Sequence, residues 1–219
     1  LLRQEKDDWS RKGFEAALAS SGWKEGVNVS FDVQTIGSDP DRDQAIIQKF
    51  LAEKVDLIHS IGTAGTRAAL KATGKVPVVF SAVTDPVGAK LVDSLDKPGH
   101  NVTGMSDLGP IKEELNLLKL FDNIDKVATL ITGTEANSIY QEAIATKVIA
   151  ENGWNETAQT INNATEITAA VTSIPNDVDA LWIPTDDTIA ANITAIKSAN
   201  ESRSTPLIVL GCDVGMING

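Results

Sequence analysis

Aspartate closes three apolar runs of this 219-residue chain: in Thr84-Asp85-Pro86 after 76–83, in Pro184-Thr185-Asp186-Asp187 after 178–183, and as Asp213 after 207–210. Two more runs lead into loops of small, hydroxyl and amide residues, Gly62-Thr63-Ala64-Gly65-Thr66 and Gly133-Thr134-Glu135-Ala136-Asn137-Ser138. Carboxylates accept from an ammonium group, while hydroxyls, amides and the free N–H groups of a helix start donate to a carboxylate. The combination suits a zwitterion. Each feature also has a plainer use. The glycine-rich loops serve as tight turns. Asp85, kept extended by Pro86, can cap a helix starting near Val87. Asn137 and Ser138 are good caps, and one of Asp186 and Asp187 can cap the next helix while the other faces a ligand.

Enzyme signatures fail in turn. The chain has no Gly-x-x-x-x-Gly-Lys-Ser/Thr loop, no Gly-x-Ser-x-Gly elbow and no Gly-x-Gly-x-x-Gly after a strand. Of its two histidines, His59 lies in an apolar run and reads as a core residue, and His100 reads as a loop residue. Neither has metal-ligand neighbours. A magnesium ion on Asp186, Asp187 and Asp213 competes with capping, so no metal and no cofactor is expected. The single cysteine, Cys212, excludes an internal disulfide. A net charge of -11 and an isoelectric point near 4.6 oppose nucleic-acid binding. No apolar run is long enough to span a bilayer.

These residues must be positioned by alternating strands and helices. Residues 7–21 read as a helix stopped by Gly22, and Val27, Val29, Phe31 and Val33 alternate as a half-buried strand would. Asp39-Pro40 opens a second helix, 55–61 is a strand, a short helix runs through Leu70, and 76–83 is apolar enough for a strand covered on both faces. After 101–105 the pattern restarts: helix 110–121, strand 127–131, helix 138–151, a more polar strand 157–161, helix 165–173, strand 178–183, helix 188–199 and strand 207–210. Such alternation implies βαβ units and parallel sheets in two blocks, joined near 104–109. Trp23 and Trp154 each follow a glycine after a helix and are expected to fold back on its end. Trp182 is expected between sheet and helix, and Trp9 in the core, with reach to a ligand as its alternative. The sequence reads as lacking an opening strand and a closing helix.

Two segments carry a resemblance. Val78-Val79-Phe80-Ser81-Ala82-Val83-Thr84-Asp85-Pro86-Val87-Gly88-Ala89 and Lys97-Pro98-Gly99-His100-Asn101-Val102-Thr103-Gly104-Met105-Ser106-Asp107 resemble the tryptophan/tyrosine-type substrate-binding components of ATP-binding-cassette (ABC) importers. The segment 133–138 and Ala180-Leu181-Trp182-Ile183-Pro184-Thr185-Asp186-Asp187 match the same family, and His100 departs from its usual glycine. The resemblance implies an α/β type I periplasmic-binding fold, with two Rossmann-like lobes of parallel sheet joined by a hinge. The lobes would be 1–105 and 106–219, with hinge crossings near 104–109 and 211–219. Thr63, Ala64, Thr84 and Asp85 would line one side of a ligand cleft, and Glu135, Asn137, Ser138, Thr185, Asp186 and Asp213 the other. The implied protein is no enzyme. It is a periplasmic or extracytoplasmic monomer, made with a signal peptide and either soluble or lipid-anchored, that hands an amino-acid-like ligand, aromatic by preference, to a membrane permease. The same fold also serves as the sensor domain of transcriptional regulators. An α/β lyase or racemase using the acid cluster is the remaining alternative.

Overall fold

The computed structural model describes residues 9–35 and 40–212. Asp213 and the start of the first predicted helix lie outside them. The chain divides into two compact units, one ending at Leu108 and the next beginning at Gly109.

In the first unit, α1 (Trp9–Ser20) and α2 (Pro40–Ala52) precede β1 (Ile58–Ile61), α3 (Thr63–Ala72), β2 (Val78–Val83) and β3 (Val102–Ser106). The strands form a parallel sheet in the order β1-β2-β3, with Ile58 opposite Val78 and Val78 opposite Val102. Ile47 and Phe50 of α2 and Ala69 of α3 close over Ile58, Val78 and Phe80, giving this unit its own apolar core. Helix α1 buries no side chain, and its Phe14 ring stacks on His59, 4.1 Å between centroids. Trp9 is therefore not a core residue: it is 71% exposed, with Lys12 Nζ 5.0 Å from its ring centre.

The strand expected over 27–33 does not form a ladder. Alternation makes a strand only where a neighbour supplies hydrogen bonds, and here the chain bonds to itself instead. The Lys24 carbonyl accepts from the amides of Val27 and Asn28, and the Asn28 side chain ties back to the Lys24 amide and the Gly22 carbonyl. Val27 is left exposed.

The second unit runs α4 (Ile111–Asn116), a 3₁₀ turn (Leu117–Leu120), β4 (Lys126–Thr132), α5 (Ala136–Glu151), β5 (Asn155–Ile161), a 3₁₀ turn (Ala164–Glu166), α6 (Ile167–Ser173), β6 (Ala180–Ile183), α7 (Asp187–Ala190), α8 (Ile193–Glu201) and β7 (Ile208–Gly211). The helix expected over 188–199 is thus two helices, broken at Asn192, whose side chain turns back to the Thr188 carbonyl. All four strands are parallel, in the order β5-β4-β6-β7. The central strands β4 and β6 are covered on both faces. Ala128, Leu130, Leu181 and Ile183 meet Val171 of α6 and Ile196 of α8, while Val127, Ala180 and Trp182 meet Leu115 of α4 and Ile149 of α5. That double cover explains why β6 is wholly apolar and β4 nearly so. The polar strand β5 sits at the sheet edge.

Both predicted glycine stops are real. Gly22 and Gly153 take positive φ, and the next amides, of Trp23 and Trp154, reach back to the carbonyls of Leu18 and Ile149 at 3.0 and 3.1 Å. The guanidinium of Arg203, itself buried, donates to the carbonyls of Val171, Ile174 and Pro175 at the end of α6.

On the α5 side of the sheet, the buried hydroxyl of Thr129 lies 3.3 Å from Glu142 Oε1 and 3.2 Å from Glu156 Oε1. Burial holds the Glu142 carboxyl above its ordinary range; the Thr129 hydroxyl offsets part of this, and the Glu156 charge adds to it. A carboxyl raised in the folded state contributes stability that is full below its unfolded pKa and is lost as pH rises through its folded value. Glu142→Gln should therefore raise the melting temperature by roughly 1 to 3 °C at pH 7.5 and by nothing near pH 4. Melting curves across that range check it; a gain independent of pH would contradict it.

Candidate functional site

In the first unit the candidate residues stand at the carboxyl ends of the neighbouring strands β1 and β2. Gly62 leaves β1 with φ 85°, donates its amide to the Ser81 carbonyl of β2 at 3.0 Å, and turns the chain into α3. Thr66 fixes that turn from inside: its buried hydroxyl donates to the Gly62 carbonyl at 2.9 Å and meets Ser60 Oγ at 2.8 Å. Thr63 and Ala64 then form the first turn of α3, where backbone N–H groups have no partner within the helix and the dipole favours an anion.

At the end of β2, Thr84 is buried and its carbonyl accepts from Ser106 Oγ of β3 at 2.8 Å. Asp85 is half-buried. Its Oδ1 accepts from the Gly88 amide at 2.8 Å, and its carbonyl accepts from the Ala89 amide at 3.0 Å. The helix expected near Val87 is absent: 86–90 is a turn, with the Leu91 amide closing on the Pro86 carbonyl. Asp85 caps that turn with one oxygen.

The second unit knits its candidates together directly. Asp186 is 1% exposed, yet its carboxylate meets four donors: the Thr132 amide (2.7 Å), Thr132 Oγ1 (2.9 Å), Ser138 Oγ (2.8 Å) and the Ile189 amide (2.9 Å). It thereby caps α7 and ties together the ends of β4 and β6 and the start of α5. Glu135, the residue before α5, accepts from the amides of Asp187 and Thr188, both at 2.9 Å, and from Thr188 Oγ1 at 2.7 Å. Burial, with the Glu135 charge behind it, holds the Asp186 carboxyl above its ordinary range.

Asn137 and Ser138 are not caps, contrary to the sequence expectation. The residue at the cap position is Glu135, and it makes no side-chain cap bond. Asn137 Nδ2 instead donates to the Thr185 carbonyl at 2.9 Å, and Ser138 serves Asp186. A residue missed in the sequence completes the arrangement. Buried Gln141, one helical turn after Asn137, donates through Nε2 to the Thr185 hydroxyl at 2.7 Å and to the Thr185 carbonyl at 3.1 Å. Its four-residue spacing from Asn137 was the available signal. Thr132 was missed as well, being the last residue of a strand read for its apolar positions.

The two strand-end sets thus differ in character. Glu135, Asn137, Ser138, Thr185 and Asp186 form one hydrogen-bonded knot, whereas Thr63, Ala64, Thr84 and Asp85 lie on adjacent strand ends with one Asp85 oxygen committed. Asp213 lies outside the described residues. Among those residues, no group of three or more His, Cys, Asp or Glu side chains could hold a metal ion. With four donors on two oxygens, Asp186 is a residue that fixes the loop. Asp186→Asn offers one acceptor oxygen to donors that need two, leaving buried groups unpaired at about 1–3 kcal/mol each. The variant should unfold at least about 2 kcal/mol more easily in urea; a loss under 0.5 kcal/mol, about the scatter of a neutral surface change, would refute that role.

Known proteins resemble this chain over nearly its whole length. Residues 3–217 match the family model described as ABC transporter substrate binding protein. A tyrosine-binding protein of Clostridioides difficile (strain R20291) is 35% identical over 209 residues, covering 95% of this chain, and the chain spans 61% of that relative's length. A conserved domain protein of Vibrio cholerae superposes with a TM-score of 0.88 at 31% identity, over 95% of this chain and 70% of the other. An ABC domain from Streptococcus pneumonia, solved in complex with L-Trp, superposes with a TM-score of 0.87 at 31% identity, over 94% and 70% of the two chains. The α/β fold is the type I periplasmic-binding fold that the sequence resemblance implied. The chain belongs to the ABC transporter substrate-binding protein family.

Proposed function

We propose that this chain is the ligand-binding body of an ABC importer's extracytoplasmic solute-binding component, and that its ligand is an aromatic amino acid. The observation that carries the reading is a set of hydroxyl, amide and carboxylate groups at parallel strand ends, in a chain whose relatives include a tyrosine-binding protein and a domain holding L-Trp. The first turn of α3, with Thr63, Ala64 and Thr84, supplies donors for the ligand's carboxylate. Asp85 keeps one carboxylate oxygen free of the Gly88 amide and accepts from the ammonium group. In the second unit, Glu135, Asn137 and Thr185 are the proposed ligand-facing residues, held in place by Asp186, Gln141 and the buried Ser138, whose hydroxyl is given to Asp186; Asp213 belongs to the proposed set by its place after the last strand. The role is capture and delivery to a membrane permease, without chemistry on the ligand, with hinge crossings near 104–109 and 211–219. A signal peptide and a lipid anchor belong to this reading as properties of the whole protein, as does a monomeric state.

Calorimetric titration of the mature protein tests it. L-Trp or L-Tyr should bind saturably, and at a hundredfold excess over the dissociation constant should stabilise the fold by about 2.7 kcal/mol. Asp85→Asn keeps an acceptor for the Gly88 amide but loses the charge, so it should fold normally and bind the amino acid at least about tenfold more weakly. Unchanged affinity would remove Asp85 from the site. Binding of sugars or nucleosides with no response to any amino acid would overturn the ligand class.

A further inference from the structure

We propose that the first unit carries a second binding site, for the phosphate group of an amphipathic molecule, separate from its strand ends. A concavity of about 540 Å³ lies between α3 and the 88–91 turn. Leu70, Ala89 and Leu91 give it an apolar lining, and Arg67, Lys71 and Lys90 stand around it with exposed side chains. Neither Thr63, Ala64, Thr84 nor Asp85 lines it.

Three observations converge there. Arg67, Leu70 and Lys71 share one face of α3 by their spacing of three and four residues, so two cations and an apolar side chain point the same way. Lys90 takes φ 58°, in the left-handed region that non-glycine residues rarely adopt. Among the described residues, none of these three cations forms an ion pair, whereas Lys49, Lys112 and Lys126 sit on Asp32, Glu151 and Asp177. In a chain with 30 acidic and 19 basic residues, three unpaired cations on one concavity run against the overall charge. The carboxylate beside the mouth, Asp85, turns one oxygen onto the Gly88 amide; a side chain at Gly88 would collide with it, at 1.9 Å from Oδ2.

The ligand chemistry follows from the charges. A single carboxylate carries one charge and two acceptor oxygens, too few for a guanidinium fork and two ammonium groups. A phosphate monoester carries nearly two charges and three strong acceptors. The apolar lining would take the carbon chain attached to it. Such a group can come from a soluble organic phosphate or from a lipid headgroup. The proposal does not depend on the amino-acid reading, because none of the residues assigned to the phosphate belongs to that site.

The test is titration of the full chain with hexyl phosphate, read by calorimetry and by amide shifts, alongside inorganic phosphate and sedimentation with phosphatidic-acid or phosphatidylcholine vesicles. Hexyl phosphate should bind saturably, at least about tenfold tighter than inorganic phosphate because its chain buries apolar surface. The shifts should centre on 67–71 and 88–91, and binding should weaken with salt. The Arg67→Gln/Lys90→Gln variant changes two exposed side chains and should lose at least about tenfold in affinity. Variant-sensitive capture by phosphatidic-acid vesicles alone would assign the lipid source; binding of the soluble ester without vesicle capture would assign the soluble one. Absence of binding to both, equal affinity in the variant, or shifts centred elsewhere would overturn the proposal.

Discussion

Every strand pair in both sheets is parallel, and this sense of pairing gathers the candidate residues. A parallel neighbour cannot be reached through a tight hairpin, so the chain must cross back over the sheet before pairing again. Each crossover therefore begins at the same edge, and where it opens on a helix the carboxyl end of a strand is followed by a turn and a helix N-terminus. Thr132 and Asp186 are 54 residues apart in the chain, yet they meet because β4 and β6 pair and end side by side. The adjacency of Gly62 and Ser81, at the ends of β1 and β2, has the same origin.

Within the second unit, Asp186 turns that edge into a fixed surface. A carboxylate with 1% exposure is costly unless its oxygens are satisfied, and here two come from backbone amides and two from hydroxyls. The donors do not fully offset burial and the nearby Glu135 charge, since the carboxyl remains raised above its ordinary range. Glu135 in turn is held by the first amides of α7, so the two acids, though close, each lie against donors that pin them. The loop carrying Thr185 is anchored from both sides, by Asp186 at its end and by Gln141 on its hydroxyl and carbonyl.

The sequence was most legible where one local rule decides. Central strand β6 is a continuous apolar run, and β4 nearly so, because both faces are covered, and the glycine stops at Gly22 and Gly153 need only a left-handed residue after a helix. It was least legible where a competing local bond wins. The alternating valines from Val27 to Val33 satisfy the strand pattern, but the Lys24 carbonyl and the Asn28 side chain claim the hydrogen bonds first. Asp85 was readable as a cap, although it caps a turn and not a helix. At 135–138, residue type pointed to Asn137 and Ser138 as caps, whereas their actual partners come from 185–186, a contact that only the β4–β6 pairing creates. Gln141 carried almost no signal: a glutamine in a helix is ordinarily a solvent residue, and its burial follows from the loop it serves.

Free valence separates a surface that binds from one that moves protons. A general base needs an oxygen able to reach the substrate proton and a pKa near the working pH. Asp186 has a raised carboxyl, the usual mark of such a group, but all four of its hydrogen-bonding positions face donors that cannot leave without opening β4, α5 or α7. Its perturbation therefore reports structural burial. Acids satisfied in this way hold the hydroxyl and amide groups around them in fixed positions, and a preordered surface of that kind lowers the cost of ordering on binding. Asp85 is the contrasting case, half-buried and with one oxygen uncommitted, which is the observation behind its proposed role toward a cationic ligand group.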